Sequence, residues 1–266
     1  MRHENVINFR ALARSISLIG ICFLSSTVFA KDDNAEPSAA AKKDWSAPVN
    51  DEQIFTYLLL DQLEYRSNRD GGNTLRWDGQ GWIGGDYNKL WIKTEGERQT
   101  ARSSGDAEVQ ALYSRLVAPF WSFQAGVRHD VRYGGISNPS RTMAVIGFQG
   151  LAPYEFDVEP VLFIGKGGDV SARLTGTYDV LLTQRLIAQP RFETSVSSRK
   201  VEQFDIGSGF NYVELGLRVR YEIKREIAPY IGVSWLRKLG STAGMARNAG
   251  SPVDNLSVAA GLRLWF

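Results

Sequence analysis

From about residue 54 to the end of the chain, apolar and polar residues alternate with a period of two. Between Tyr212 and Ile223 one face carries Val213, Leu215, Leu217, Val219, Tyr221 and Ile223. The other carries Glu214, Gly216, Arg218, Arg220 and Glu222. The stretch from Val170 to Leu182 repeats the pattern, with Val170, Ala172, Leu174 and Val180 opposed to Ser171, Arg173, Thr175 and Asp179. Such alternation is the signal of a strand with two unlike faces, and here it outlasts the usual strand of about 5–6 residues. Twelve such segments are predicted, near 54–66, 74–84, 88–99, 108–118, 121–133, 141–151, 154–165, 169–182, 184–197, 210–223, 227–238 and 255–266.

The connections alternate too. Ser67 to Asn73, Thr100 to Ala107, Gly134 to Ser140, Gly165 to Gly168, Ser198 to Gly209 and Leu239 to Asp254 are mostly long and rich in Gly, Ser and Asn. The gaps between them, such as Gly85-Asp86-Tyr87, Pro119-Phe120 and Ala152-Pro153, are tight. Long loops at one end and short turns at the other define the asymmetry of an outer-membrane barrel. The expected fold is therefore all-β, an antiparallel transmembrane barrel of about twelve strands with both termini at the short-turn, periplasmic end. Pro160 and Pro190 fall inside proposed strands and predict bulges or breaks there. The chain closes on Leu256, Val258, Ala260, Leu262, Leu264 and Phe266 in alternation, an outer-membrane type of final strand, with Trp121, Trp235 and Trp265 near strand ends as an interfacial girdle would require.

Residues 1–30 read as a signal peptide. Arg2, Arg10 and Arg14 form its basic region, Ile16 to Leu24 its apolar one, and Val28-Phe29-Ala30 the cleavage site. Residues 31–50, rich in Ala, Lys, Asp and Pro, read as a disordered periplasmic lead, leaving 51–266 as the barrel. The whole chain holds 31 Lys and Arg against 29 Asp and Glu, and removal of the leader's three arginines and one glutamate makes the remainder neutral. That balance argues against nucleic acid as partner. The single cysteine, Cys22, leaves with the leader, so thiolate chemistry and disulfides are excluded, and His129 is the only histidine that remains. No later stretch approaches the roughly 18 apolar residues of a membrane helix, so lipid can be crossed only by a closed barrel.

Several motifs are specific. The run from Asp78 to Glu97 (DGQGWIGGDYNKLWIKTEGE), Val117 to Trp121, Gln124 to Asp130, Gly147 to Tyr154, Leu181 to Leu186, Tyr221 to Ile223 and Ala228 to Val233 together resemble the copper resistance protein B family of bacterial outer membranes. The likeness runs from about Asp51 to Phe266. It implies an outer-membrane copper resistance protein of a Gram-negative bacterium, with copper ions as its bound metal and a periplasmic multicopper oxidase as partner, beside the outer-membrane lipid. Members of that family often carry a Met- and His-rich N-terminal segment; residues 31–50 hold neither residue type.

Soft or imidazole copper donors in the mature chain reduce to His129, Met143 and Met245. If residues 133 and 141 pair, 131 faces 143, and His129 and Met143 become diagonal neighbours on one face. By parity with Phe123, Ala125 and Val127, however, His129 points outward. The lumen face is charged throughout, from Glu64, Arg66 and Arg115 to Arg263, and includes the acidic stripe Glu155-x-Asp157-x-Glu159, a second candidate for metal attraction. Two readings stand for that lumen: a polar path for cations, or mixed-sign ion pairs that fill a narrow barrel. No catalytic constellation is found. His129 is followed by Asp130-Val131-Arg132, and only Ser122 and Ser137 lie near it in sequence. The expectation is a non-enzymatic barrel that binds copper or lets it cross. A general small porin and an outer-membrane hydrolase are the rivals.

Overall fold

In the computed structural model, residues 53–135 and 138–266 are described; the signal peptide expected over 1–30, the 31–50 segment and Ser137 lie outside them. The strands are β1 (Phe55–Asn68), β2 (Asn73–Gly84), β3 (Asn88–Gln99), β4 (Gly105–Ala118), β5 (Trp121–Tyr133), β6 (Ser140–Ala152) and β7 (Phe156–Ile164). They continue as β8 (Val170–Thr177), β9 (Val180–Leu181), β10 (Leu186–Ser197), β11 (Gly209–Tyr221), β12 (Ile227–Lys238) and β13 (Asp254–Trp265). Each pairs antiparallel with the next, except that β8 and β9 both pair with β10, and β1 pairs with β13, so the sheet closes. The seam is completed where Leu58 and Phe266 exchange backbone hydrogen bonds of 2.9 and 2.8 Å.

β8 and β9 are two pieces of one stave, since both pair with β10. The break at Tyr178–Asp179 stands opposite Gln189 and Pro190, where a proline without an N–H cannot sustain the ladder on both sides. The barrel thus has twelve staves, as the alternation predicted. Pro160 likewise sits where the β6–β7 pairing skips from Gly147↔Val161 to Gly150↔Val158.

The wall is turned inside out relative to a soluble protein. Gln62 and Glu64 are 0% and 1% exposed, while Leu58, Ile92 and Ile231 are 57%, 63% and 68% exposed. An apolar exterior that encircles a buried polar interior is the signature of a barrel whose outer solvent is lipid. Short turns such as 85–87, 119–120 and 153–155 lie at the end that holds the chain's last residue; the long loops lie at the other.

The last long connection is not irregular throughout, as the sequence suggested. Residues Gly240–Asn248 form helix α1, whose Thr242, Ala243 and Ala246 are buried. Thr242 Oγ1 accepts from Gly207 N at 2.9 Å and donates to Asn211 Oδ1 at 3.2 Å, fastening the helix to the β10–β11 loop and β11. Gly207 is needed for this approach: a Cβ there would stand 2.2 Å from Ser241 Oγ and 2.4 Å from Thr242 N.

Candidate functional site in the barrel lumen

Alternation sends every second residue of each strand inward, and a bulge in β1 between Leu60 and Leu63 lets both Asp61 and Gln62 contribute to the interior. Charged side chains then meet across the barrel. Arg173 on β8 donates to Glu95 Oε2 on β3 at 3.2 Å and to Glu108 on β4 at 2.8 and 3.2 Å. Lys93 on β3 reaches Glu159 on β7 at 2.6 Å. Toward the loop end, Glu64 accepts from Arg66 (2.5 Å), Arg218 (3.1 Å) and the Tyr230 hydroxyl (2.8 Å), and Arg66 also reaches Glu214 at 3.2 Å. Strands β4, β6 and β7 add an apolar patch to the inner wall: Leu112, Met143, Val145, Val161 and Phe163. The guanidinium of Arg128 lies 4.3 Å from the Phe163 ring centre.

These ties divide the lumen. A cavity of about 400 Å³ opens toward the terminal end, and one of about 650 Å³ lies under the loops and α1; Arg173 lines both. The two differ in charge. Nine carboxylates line the first: Asp61, Asp78, Glu95, Glu108, Glu155, Asp157, Glu159, Asp179 and Glu193. Only Lys93, Arg173, Arg191 and Arg263 oppose them there. Among the described residues, Asp78, Glu155 and Asp157 make no ion pair within 4 Å, whereas the other six each have a cationic partner. In the second cavity Arg128, Arg132, Arg141, Arg173 and Lys238 outnumber Glu97, Asp106 and Asp205. Beside the first cavity the inner wall carries an aromatic arc, Trp265–Tyr57–Trp82–Trp91, with ring centres 6.0–6.3 Å apart.

The sequence-predicted donors are not brought together. Arg128, not Val131, stands opposite Met143, and His129 pairs with Thr142, so the expected shared face is corrected: His129 and Met143 point to opposite sides of the wall. His129 is exposed on the outside, with Nδ1 2.9 Å from Thr142 Oγ1. Met143 is 2% exposed within the apolar patch. Met245 rides on α1 and lines the loop-end cavity. Of the acidic stripe, Asp157 and Glu159 face the lumen on β7, but Glu155 lies in the preceding turn at φ +64° and is exposed at the cavity's mouth. Arg115 is corrected as well: it pairs with Phe123 on the outward parity and is exposed. Among the described residues no group of three or more His, Cys, Asp or Glu side chains is disposed to hold a metal ion. The sequence reading missed Asp61, whose parity the β1 bulge resets, and the polar lumen residues Gln110 and Gln149, which carry no charge to flag them.

A closed antiparallel barrel with a lipid-facing apolar wall, a charged lumen and loops of unequal length defines an outer-membrane β-barrel. The NanC porin shares this fold, with a TM-score of 0.52 at 14% identity over 79% of this chain and 99% of the porin. The chain belongs to the copper resistance protein B family: the model described as "Copper resistance protein B precursor (CopB)" matches residues 54–266. It is 45% identical over 218 residues to copper resistance protein B of Escherichia coli, covering 82% of this chain and 72% of that protein. A copper resistance protein B homolog of Pseudomonas syringae pv. tomato is 43% identical over the same shares. Copper resistance at the Gram-negative outer membrane is thus the chain's setting.

Proposed function

We propose that the barrel takes copper ions into its lumen, and either retains them or passes them across the outer membrane, with the terminal-end cavity as the place where they are held. The observation that carries this is the excess of carboxylates there, three of them with no cationic partner. A wall of low dielectric around such an excess raises the local cation concentration without a fixed coordination sphere. Oxygen donors suit hydrated copper(II), whereas copper(I) prefers thioether sulfur. Met143 is walled into an apolar patch and Met245 lies in the other cavity, so the donors present favour the oxygen-bound ion. The ion is cargo in this reading and no catalytic step is assigned. A periplasmic multicopper oxidase, met at the terminal end, belongs to the same reading as partner.

The test is copper(II) entry into proteoliposomes loaded with a copper-sensitive dye, together with metal retained on the washed protein. Wild type should retain or admit copper, Asp78→Asn/Asp157→Asn should lose most of that, and His129→Ala should match wild type. A wild type no different from empty liposomes, with no copper retained, overturns the reading in favour of a barrel without copper chemistry.

A further inference from the structure

The outer wall is concave in one place. Ile146 on β6, Leu162 on β7, Ala172 on β8, Val196 on β10 and Phe210 on β11 stand side by side in one register row. All but Ala172 are large and exposed. The small residue between Leu162 and Val196 leaves an apolar groove of about 450 Å³, closed toward the terminal end by Phe148 and Leu174.

The same strands run up into two loops that carry Lys166, Arg199 and Lys200, all exposed. These loops are fastened to each other. Arg199 Nη1 donates to Gly167 O at 2.6 Å, Ser198 N to Val170 O at 2.8 Å, and Val170 N to Ser198 Oγ at 3.1 Å. Gly168 takes φ +82°, a left-handed conformation that favours glycine, and the guanidinium of Arg199 lies beside it. Nearby acids are already engaged: Asp169 with Arg141 (3.6 Å), Asp205 with Arg132 (2.7 Å) and Glu202 with Lys200 (2.7 Å). Hydrogen bonding to Lys200 holds the Glu202 carboxyl below its ordinary range. Lys166 and Arg199 are left as two cations with no carboxylate within 4 Å among the described residues. Leu162 lies two residues, about 7 Å at roughly 3.3 Å per residue, below the end of β7 at Ile164, and Lys166 opens the turn just above it.

We propose that this face of the barrel binds an anionic, phosphate-bearing lipid of the outer leaflet, with one acyl chain in the groove and the phosphate between Lys166 and Arg199. The groove supplies apolar complementarity and the loops supply charge complementarity, and β7, β8, β10 and β11 carry both. The site lies on the opposite side of the wall from the copper cavity and stands or falls apart from it.

The test uses the full chain in phosphatidylcholine micelles, with binding of phosphatidic acid followed by native mass spectrometry. Wild type should bind phosphatidic acid well ahead of added phosphatidylcholine. Each cation near an anionic group is worth about fivefold, so Lys166→Ser/Arg199→Ser should weaken binding roughly 25-fold. Ala172→Trp, which fills the groove and leaves the cations in place, should also weaken it, and excess inorganic phosphate should fail to displace the lipid. Equal affinity of wild type for the two lipids would overturn the proposal. So would unchanged binding in Ala172→Trp, or displacement by inorganic phosphate, which would reduce the site to a surface anion contact. Heat-modifiable migration in gels confirms that each variant is folded.

Discussion

Arg173→Ala asks the sharpest question of the lumen. This one side chain on β8 makes three hydrogen bonds to carboxylates on β3 and β4, at 2.8–3.2 Å, and lines both cavities. Removing one member of a buried ion pair costs about 3–5 kcal/mol when the partner's charge is stranded. Here neither acceptor is stranded, because Glu95 keeps Arg76 at 2.6 Å and Glu108 keeps Arg128 at 2.7 Å. What is lost is a set of charge-assisted hydrogen bonds, partly replaced by water in a hydrated lumen, so the cost should fall to about 2 kcal/mol. A barrel closed by a continuous backbone ladder should survive that. The variant should therefore fold, while cavities of about 400 and 650 Å³ lose the side chain that separates them. In planar bilayers, Arg173→Ala should conduct more than wild type, with a reversal potential shifted toward cation selectivity because a positive charge has left an acid-rich lumen. Arg173→Lys, which keeps the charge and at least one tie, should fall between the two. A folded Arg173→Ala barrel with the conductance and reversal potential of wild type would refute the idea that this residue partitions the lumen.

The remaining predictions concern stability and the site. Glu64→Gln strands Arg218 beside a residue with 1% exposure, while Arg66 keeps Glu214, and should lower unfolding stability by about 3 kcal/mol in urea titrations; a midpoint equal to wild type contradicts it. Gly126→Val should block assembly, since its Cβ would lie 2.0 Å from Ala111 O and 2.8 Å from Leu112 Cα, whereas Gly216→Ala, with nothing nearer than 3.7 Å, should assemble normally by heat-modifiable migration. Copper(II) bound in the terminal-end cavity should quench tryptophan fluorescence through the arc of Trp265, Trp82 and Trp91, and Asp78→Asn/Asp157→Asn should remove the quenching; equal quenching in both would place the metal elsewhere.

What was legible in the sequence was what depends on a period of two. Strand positions, the alternation of turns and loops, the apolar exterior and the charged lumen all follow from side chains that face opposite ways, and the structure reproduces them. Register was not legible. The expected pairing put Met143 opposite Val131, but Ser140 occupies that place, a slip of an odd number of residues, which moves a side chain to the other face. That slip separates the two donors proposed as neighbours. The bulge in β1, which brings Asp61 inside, was equally hidden, whereas Arg115 faces outward by simple parity with Val109, Ala111 and Tyr113, ahead of the irregularity in β4. Helix α1 has two glycines and no apolar stripe to announce it. It forms because Thr242, Ala243 and Ala246 are buried against the barrel, a tertiary cause that no local propensity reports.

The charge division of the lumen also bears on direction. The loop-end cavity has five cationic side chains against three carboxylates, and the terminal-end cavity nine carboxylates against four cations. A cation approaching from the loops meets repulsion before it meets attraction, while one approaching from the terminal end enters the attractive cavity at once. Fields focused by low-dielectric walls act over the length of such a cavity, although salt limits them to about 10 Å at 0.1 M. An opened barrel such as Arg173→Ala should then rectify, passing more cation current from the terminal side than from the loop side at equal voltage. Raising the salt toward 1 M, where screening shortens to about 3 Å, should abolish the asymmetry. Symmetric currents at low salt would show that the ion pairs neutralise the two halves locally, and that the carboxylates left over at Asp78, Glu155 and Asp157 do not set the direction from which the barrel accepts a cation.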